Sequence, residues 1–212
     1  MKKSTCLALA ATLLSCSAWA GESYVGAGST GFDLGYAFKL NTQVGLRAEL
    51  NHLSYGRDFN SNGADYSASL KFSTVGAFVD YFPAGSLRLT GGLLLGTRKL
   101  EGSGVTTGGS VTINDTAYPA PAGEGVFVTD KFPSVSPYLG LGFGHGQSKP
   151  GLGFYFDAGA AFGKGEVTLN VTPALLTAAG QNNVDAERAK VQDKLDQLRV
   201  YPVVKFGVSY TY

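Results

Sequence analysis

Alternation with a period of two residues runs through most of this chain, and it limits the fold more than any other feature. Every second side chain of a strand shares a face, whereas a helix repeats every 3.6 residues. Gly31 to Leu40 sets Phe32, Leu34, Tyr36, Phe38 and Leu40 against Asp33, Gly35, Ala37 and Lys39. Gln43 to Ser54 sets Val44, Leu46, Ala48 and Leu50 against Arg47, Glu49 and Asn51. Leu87 to Arg98 sets four leucines against Arg88, Thr90, Gly92 and Arg98, and Gly153 to Gly163 sets Phe154, Phe156 and Phe162 against Tyr155, Asp157 and Gly159. Ser136 to Gly144 opposes Leu139, Leu141 and Phe143 to Tyr138, Gly140, Gly142 and Gly144. No interior stretch suits a membrane helix. The chain reads as all-β, with one face of each strand apolar and the other small, polar or charged.

Alternation alone does not say which face meets the core. The amino terminus bears on that question. Met1-Lys2-Lys3 is basic, Leu7 to Leu14 is a compact apolar stretch, and Ala18-Trp19-Ala20 supplies the small residues of a cleavage site. Residues 1–20 therefore read as a secretory signal peptide, leaving a single domain, 21–212. A lipoprotein cut before Cys16 is the alternative, with a bulky Leu14 counting against it. Cleavage before Gly21 removes both cysteines, so neither a disulfide nor a cysteine metal site is expected. It also removes Lys2 and Lys3, leaving 15 basic residues against 16 acidic ones. That balance gives no electrostatic footprint for nucleic acid.

The carboxyl terminus completes the argument. Val203 to Tyr212 places Val204, Phe206, Val208, Tyr210 and Tyr212 on one face. Lys205, Gly207, Tyr210 and Tyr212 fit polar-x-Gly-x-x-aromatic-x-aromatic, which resembles the signal by which outer-membrane barrels are recognised for insertion. Short turns at Asn41-Thr42, Pro83-Ala84-Gly85 and Ser148 to Gly151 separate long connections at Tyr55 to Asp65, Glu101 to Ser136 and Lys164 to Val200. Membrane barrels have short periplasmic turns, long external loops and even strand numbers. With a first strand at Glu22 to Gly28 turning at Ser29-Thr30-Gly31, the count is eight. The expected fold is a transmembrane antiparallel up-and-down β-barrel of about eight strands, with its apolar faces turned outward to lipid.

In that fold the charges of the strands face inward. Asp33, Glu49, Asp80 and Asp157 would meet Lys39, Arg47, Lys71, Arg88, Arg98 and Lys205 in the lumen, because a cation facing mid-bilayer costs roughly 2–4 kcal/mol. An eight-stranded barrel is only wide enough for side chains to fill. These groups are expected to pair and plug it. Keeping Lys71 inside requires a bulge near Ser73-Thr74, where the apolar phase of Tyr66 to Phe82 slips. The glycines of Ser136 to Gly144 read as wall of a narrow lumen, since no βαβ unit surrounds them to make a nucleotide loop.

Three external features carry further signals. Asp58 to Gly63 matches half of a calcium loop, but the twelfth position is Ser69 and no helices flank it; a polar loop tip is the better reading. Glu101 to Ser136 holds strand-like Ser110 to Ile113 and Gly123 to Val128. Val184 to Leu198 has helical spacing with Asn183 as N-cap, giving one short helix in the last long loop. His52 and Ser54 share an outward face, and this His-x-Ser pair resembles that of the PagL family of outer-membrane lipid A deacylases. The resemblance implies catalysis with an acid, for which Asp65 is the nearest candidate. Tyr55 departs from the family's Asn, and the pair lies too early in the barrel. His145 sits at a turn with no partner nearby in sequence.

The mature chain as a whole resembles the small eight-stranded bacterial outer-membrane β-barrel superfamily of the OmpA membrane domain, OmpX and OmpW. Tyr201 to Val204 with Gly207 to Tyr210 is closer still to an uncharacterised proteobacterial group of exported barrels. The resemblance implies an outer-membrane location in a Gram-negative envelope. Expected partners are outer-membrane lipid and lipopolysaccharide, and the barrel assembly machinery at the last strand, with the chain monomeric and without cofactor or metal. The expected function is non-enzymatic: envelope structure, surface contact or limited small-solute passage. The alternatives are a lipid A-modifying enzyme and a periplasmic lipid-binding barrel, the latter with its apolar faces turned inward.

Overall fold

The computed structural model describes residues 21–61, 63–146, 149–196 and 199–212; the expected signal peptide, Asn62, Ser148 and Leu198 lie outside the described residues. Five strands follow one another as hairpins: β1 (Gly21–Gly28), β2 (Gly31–Lys39), β3 (Val44–Ser61), β4 (Ala64–Ala84) and β5 (Leu87–Thr106). The lower half of β5 pairs with β9 (Val135–Phe143), which pairs with β10 (Gly151–Phe162), and β10 pairs with β12 (Val200–Thr211). Strand β12 returns to β1 through Val25–Val208 and Ala27–Phe206, closing a ring of eight antiparallel strands. Closure removes the free edges that an open sheet would expose.

Local chemistry explains the short turns. Gly31 has φ +92°, and a Cβ there would lie 2.1 Å from the His52 carbonyl oxygen, so the β1–β2 turn needs glycine. Between β2 and β3, the Asn41 Oδ1 accepts from the backbone N–H groups of Gln43 and Val44, both at 2.8 Å, a side-chain turn.

The ring is apolar outside. Phe32, Leu139, Phe154 and Phe206 are all more than 60% exposed and stand on its outer face. On β5 this belt runs from Leu87 to Leu95, about 27 Å along the strand and about 21 Å along the barrel axis at ordinary tilt. That approaches the roughly 25 Å apolar band of membrane-spanning barrels.

Strands β3, β4 and β5 continue well past the belt, so the expected loops at Tyr55 to Asp65 and after Glu101 are largely strand. Here β8 (Gly125–Lys131) replaces β9 as the partner of β5, and β11 (Glu166–Val171) adds to β8. A separate hairpin, β6 (Gly109–Ile113) and β7 (Thr116–Ala120), turns through Asn114 and Asp115 at φ 50° and 63°. Two helices, not one, follow β11: α1 (Pro173–Ala179) and α2 (Gln181–Leu195). Ile113, Ala120, Leu169, Leu175, Ala179 and Val184 form the core of this cap.

Two expectations need correction. The β3–β4 register is unbroken from Val44–Tyr81 to Ser61–Ala64, so no bulge forms at Ser73-Thr74. Phe72 instead points inward against Tyr201, with ring centroids 5.1 Å apart, and Lys71 points outward. Asn183 is not an N-cap. Gly180, at φ 77°, separates the helices, and α2 starts two residues earlier than Asn183. Asn183 Nδ2 donates to the Ala179 carbonyl, 2.8 Å, and to Tyr118 OH, 3.2 Å, tying α2 to the hairpin.

Candidate functional site

The lumen gathers the charges into one layer. Arg47 on β3 lies at its centre, with Nε 3.1 Å from Asp80 Oδ2 and Nη1 3.3 Å from Glu49 Oε2 and 3.2 Å from Asp157 Oδ2. Arg88 donates to Asp157, and Lys205 to Glu49 and to Asn51 Oδ1 at 2.6 Å. Neutral groups bind the rest: Thr90 Oγ1 donates to Asp80 at 2.6 Å, Asn51 Nδ2 to Glu49 at 3.0 Å and Tyr24 OH to Glu49 at 3.1 Å. Four carboxylates thus face three cations. Among the described residues Asp33 has no cation within 4 Å, and Tyr155 OH donates to it instead. Arg88 is 0% exposed and the other members of the layer are nearly so.

Glycines create the room for it. At Gly142 a Cβ would meet Asp157 Oδ1 at 2.3 Å and Arg88 Nε at 2.6 Å. At Gly140 it would meet Tyr138 OH at 2.5 Å. The Gly-x-Gly-x-Gly pattern of β9 is therefore the wall against which Arg88 and Tyr138 lie. Above the charges Phe78, Leu94, Tyr138, Ala161 and Val203 form an apolar layer, and Phe72 with Tyr201 lies above that. Below them, His145 lies at the mouth. It is 1% exposed, its Nδ1 lies 2.6 Å from Glu22 Oε1, and its ring stacks on Tyr155 at 4.4 Å.

Eight of the ten sequence-predicted lumen residues (Asp33, Arg47, Glu49, Asp80, Arg88, Arg98, Asp157 and Lys205) are buried inside. Arg98 stands apart from the layer, donating to the Pro133 carbonyl at 2.8 Å and to Ser136 Oγ. Lys39 is half-buried at the lower mouth, its Nζ 5.0 Å from the centre of the Phe82 ring. Lys71 is not a lumen residue: it lies outside, 2.7 Å from Glu101 Oε2, beyond the belt where a cation meets no lipid tail. His145 escaped the sequence reading because its partners come from β1 and β10.

The remaining candidates are dispersed. His52 and Ser54 do share the outer face of β3, opposite Ser73 and Lys71. Asp65 pairs with Asn60 at the hairpin tip, eight residues along β4 from Ser73 and so about 26 Å away. It is not a third member of that pair. Asp58 and Asn60 belong to strand β3, and Asn60 Nδ2 donates to Asp65 Oδ1 at 2.8 Å. In the terminal motif Lys205 enters the network, and Gly207 lies where a Cβ would be 2.3 Å from the Val25 carbonyl. Tyr210 is outward, and Tyr212 OH lies 3.0 Å from Ser23 Oγ.

Above the belt a cavity of about 610 Å³ opens between the β3–β4 hairpin and the cap, lined by Phe59, Tyr66, Ile113, Val128, Leu169 and Val191. Two surface ion pairs pin the cap: exposed Lys190–Asp115 and Lys164 with half-buried Asp196, both 2.5 Å. The Lys190 ammonium beside Asp115 holds that carboxyl below the usual aspartate range, and Lys164 does the same to Asp196. Gln192 of α2 covers the free edge of β11, accepting from Val167 N–H at 2.8 Å and donating to the Gly165 carbonyl at 3.0 Å.

Fold and lumen together define a closed eight-stranded β-barrel, apolar outside and charged within, carrying a mixed α/β cap. CarO of Acinetobacter baumannii has a similar fold, with a TM-score of 0.62 at 22% identity over 90% of this chain and 97% of that one. CarO2 of the same organism gives 0.64 at 19% identity over 92% and 99%. A major outer membrane protein from Thermus thermophilus superposes more loosely, at 0.41 and 12% identity over 91% and 98%. No family model matches the sequence, and no curated protein matches it significantly.

Proposed function

We propose that this protein is an integral outer-membrane barrel, closed at rest by its own side chains, that serves envelope structure and surface contact and passes small solutes only to a limited extent. The observation that carries the reading is the Arg47 layer: three carboxylates and a second arginine meet across the barrel, with aromatic side chains above and below. The apolar belt supports a bilayer location, since such a surface in water would be unusually large for a soluble monomer. A lipid-carrying barrel of the periplasm would need an apolar interior, and this interior is charged. Asp65, the acid expected for His52 and Ser54, lies about 26 Å along β4 from that pair, which favours the non-enzymatic reading.

The signal peptide exports the chain in this reading, the Lys205 to Tyr212 motif engages the barrel assembly machinery, and lipid and lipopolysaccharide surround a monomer. The small eight-stranded superfamily that the sequence resembles is the natural grouping. Cell fractionation tests it: the protein should stay with outer membranes through a carbonate wash, and surface protease should cut the cap alone. Release by carbonate, or a soluble periplasmic pool, contradicts it.

A further inference from the structure

Strand β5 changes partner partway along its length. Leu87 to Leu95 pair with β9, and Lys99 to Val105 with β8. The gap is bridged by single bonds, Gly96 N–H to Ser134 O at 2.8 Å and Phe132 N–H to Arg98 O at 3.1 Å. A cavity of about 450 Å³ lies at this seam, and Arg98, Lys99, Lys131 and Lys164 all line it, against one carboxylate, Glu166.

The cations are arranged unfavourably for a protein alone. Lys71, Lys99 and Lys131 are direct cross-strand partners on β4, β5 and β8, and like charges directly opposite repel. Glu101 offsets Lys71 and lies in the field of Lys99, Asp196 offsets Lys164, and Glu166 stands directly opposite Lys131 on β11, three carboxylates against five cations. Among the described residues no carboxylate lies within 4 Å of Lys99 or Lys131. Arg98 is only 3% exposed, has no carboxylate within 4 Å among those residues and leaves its Nε without a hydrogen-bond partner. The other buried cations of the barrel strands, Arg47, Arg88 and Lys205, each have an acid. A desolvated guanidinium without a counter-ion calls for an anion.

Depth identifies the anion's source. Lys71 and Lys99 lie four residues beyond Val75 and Leu95, the last apolar positions of their strands within the belt, hence about 10 Å above it along the barrel axis. That is headgroup depth on the face away from the short turns. We propose that this seam binds a phosphomonoester of an outer-leaflet lipid, the phosphate of lipid A, with Lys99 and Lys131 as its first contacts and Arg98 behind them. The proposal rests on the outer-membrane reading.

The test uses the refolded mature barrel in detergent, with bisphosphorylated lipid A, dephosphorylated lipid A and inorganic phosphate as probes in native mass spectrometry. Wild type should retain bisphosphorylated lipid A in preference to the dephosphorylated form. A Lys99→Gln/Lys131→Gln variant, at a half-buried and an exposed site outside the lumen, should bind it about tenfold or more weakly. Lys190→Gln/Lys194→Gln, which removes the same charge from α2, should bind as wild type does. Equal retention of dephosphorylated lipid A, or unchanged binding by the seam variant, overturns the proposal. So does saturation of the seam by inorganic phosphate at equal concentration, which would make it a small-anion site. Fractionation of the same strains separates the failures: a seam variant that binds normally while the protein sits in the outer membrane removes only this inference.

Discussion

Arg47 touches carboxylates from its own strand, from β4 and from β10, so the layer is held across the barrel and not along one hairpin. Removing one partner from such a buried group leaves the other charge stranded. Glu49→Gln, which unpairs Lys205 and weakens the hold on Arg47, is expected to cost about 3–5 kcal/mol, read as a lower midpoint in urea unfolding of the refolded barrel. Asp58→Asn on the exposed β3 tip should leave the midpoint unchanged. His52→Ala should leave the lipid A mass spectrum as it is; an altered acyl pattern would restore the catalytic reading. Parity made the inward charges legible in the sequence, because strand periodicity assigns faces without knowing partners. The pairs were not legible. Arg47 and Asp157 are 110 residues apart, and their contact depends on the stagger of strands around the ring. Lys71 went wrong for a related reason: the rule that hides cations from lipid holds only within the belt, and Lys71 is above it.

Strand β12 carries two tasks at one time, closing the ring against β1 and presenting the terminal aromatics. Changing Tyr210 and Tyr212 to Ser removes little from the folded barrel's interior, since Tyr210 faces outward and Tyr212 makes one hydrogen bond with Ser23. Export should therefore proceed while insertion fails, with the double variant accumulating in the periplasm. Normal outer-membrane levels on fractionation would show that the motif is only an amphipathic strand. The cap makes a pH prediction. Asp115 and Asp196 both have lowered folded-state pKa values, chiefly through hydrogen bonds from Lys190 and Lys164. Their contribution is thus full above the ordinary aspartate range and is lost as pH falls through the lowered values. Both pairs lie at the surface, Asp115 exposed and Asp196 half-buried, so the effect is small and screened by salt. Amide exchange in α2, corrected for intrinsic rate, should quicken at such acid pH, and Asp115→Asn should reproduce part of that at neutral pH. Helix α2 was legible from the spacing of Val184 and Val191. Its true start was not, because Gly180 carries no side chain to mark it and α1, at seven residues, is too short for its Leu175–Ala179 spacing to stand out.

At the scale of the molecule, strand number sets what the interior can be. Eight strands were countable in the sequence from short turns alternating with long connections, and the ring closes at that number. The upper extensions were harder to read. Beyond the belt β3 and β4 are largely exposed on both faces and β5 is half-buried beneath the cap, so hydrophobic alternation fades although the hydrogen-bonded ladder continues to Ser61–Ala64 and Ala64–Thr106. The pairing of β8 onto β5, and of β11 onto β8, had no signal in local periodicity. In the proposed closed barrel the lumen is blocked by its own side chains: Phe72 and Tyr201 lie above, the Arg47 layer in the middle, His145 and Glu22 below. Planar-bilayer recording of the refolded wild-type barrel measures this most directly. The closed lumen predicts no steady conductance from wild type, and measurable openings from Glu49→Gln or Asp157→Asn, whose loss frees Lys205, Arg47 or Arg88 to swing aside. Steady wild-type current in the porin range, with those variants altering only ion selectivity, would contradict the account and make the protein a channel.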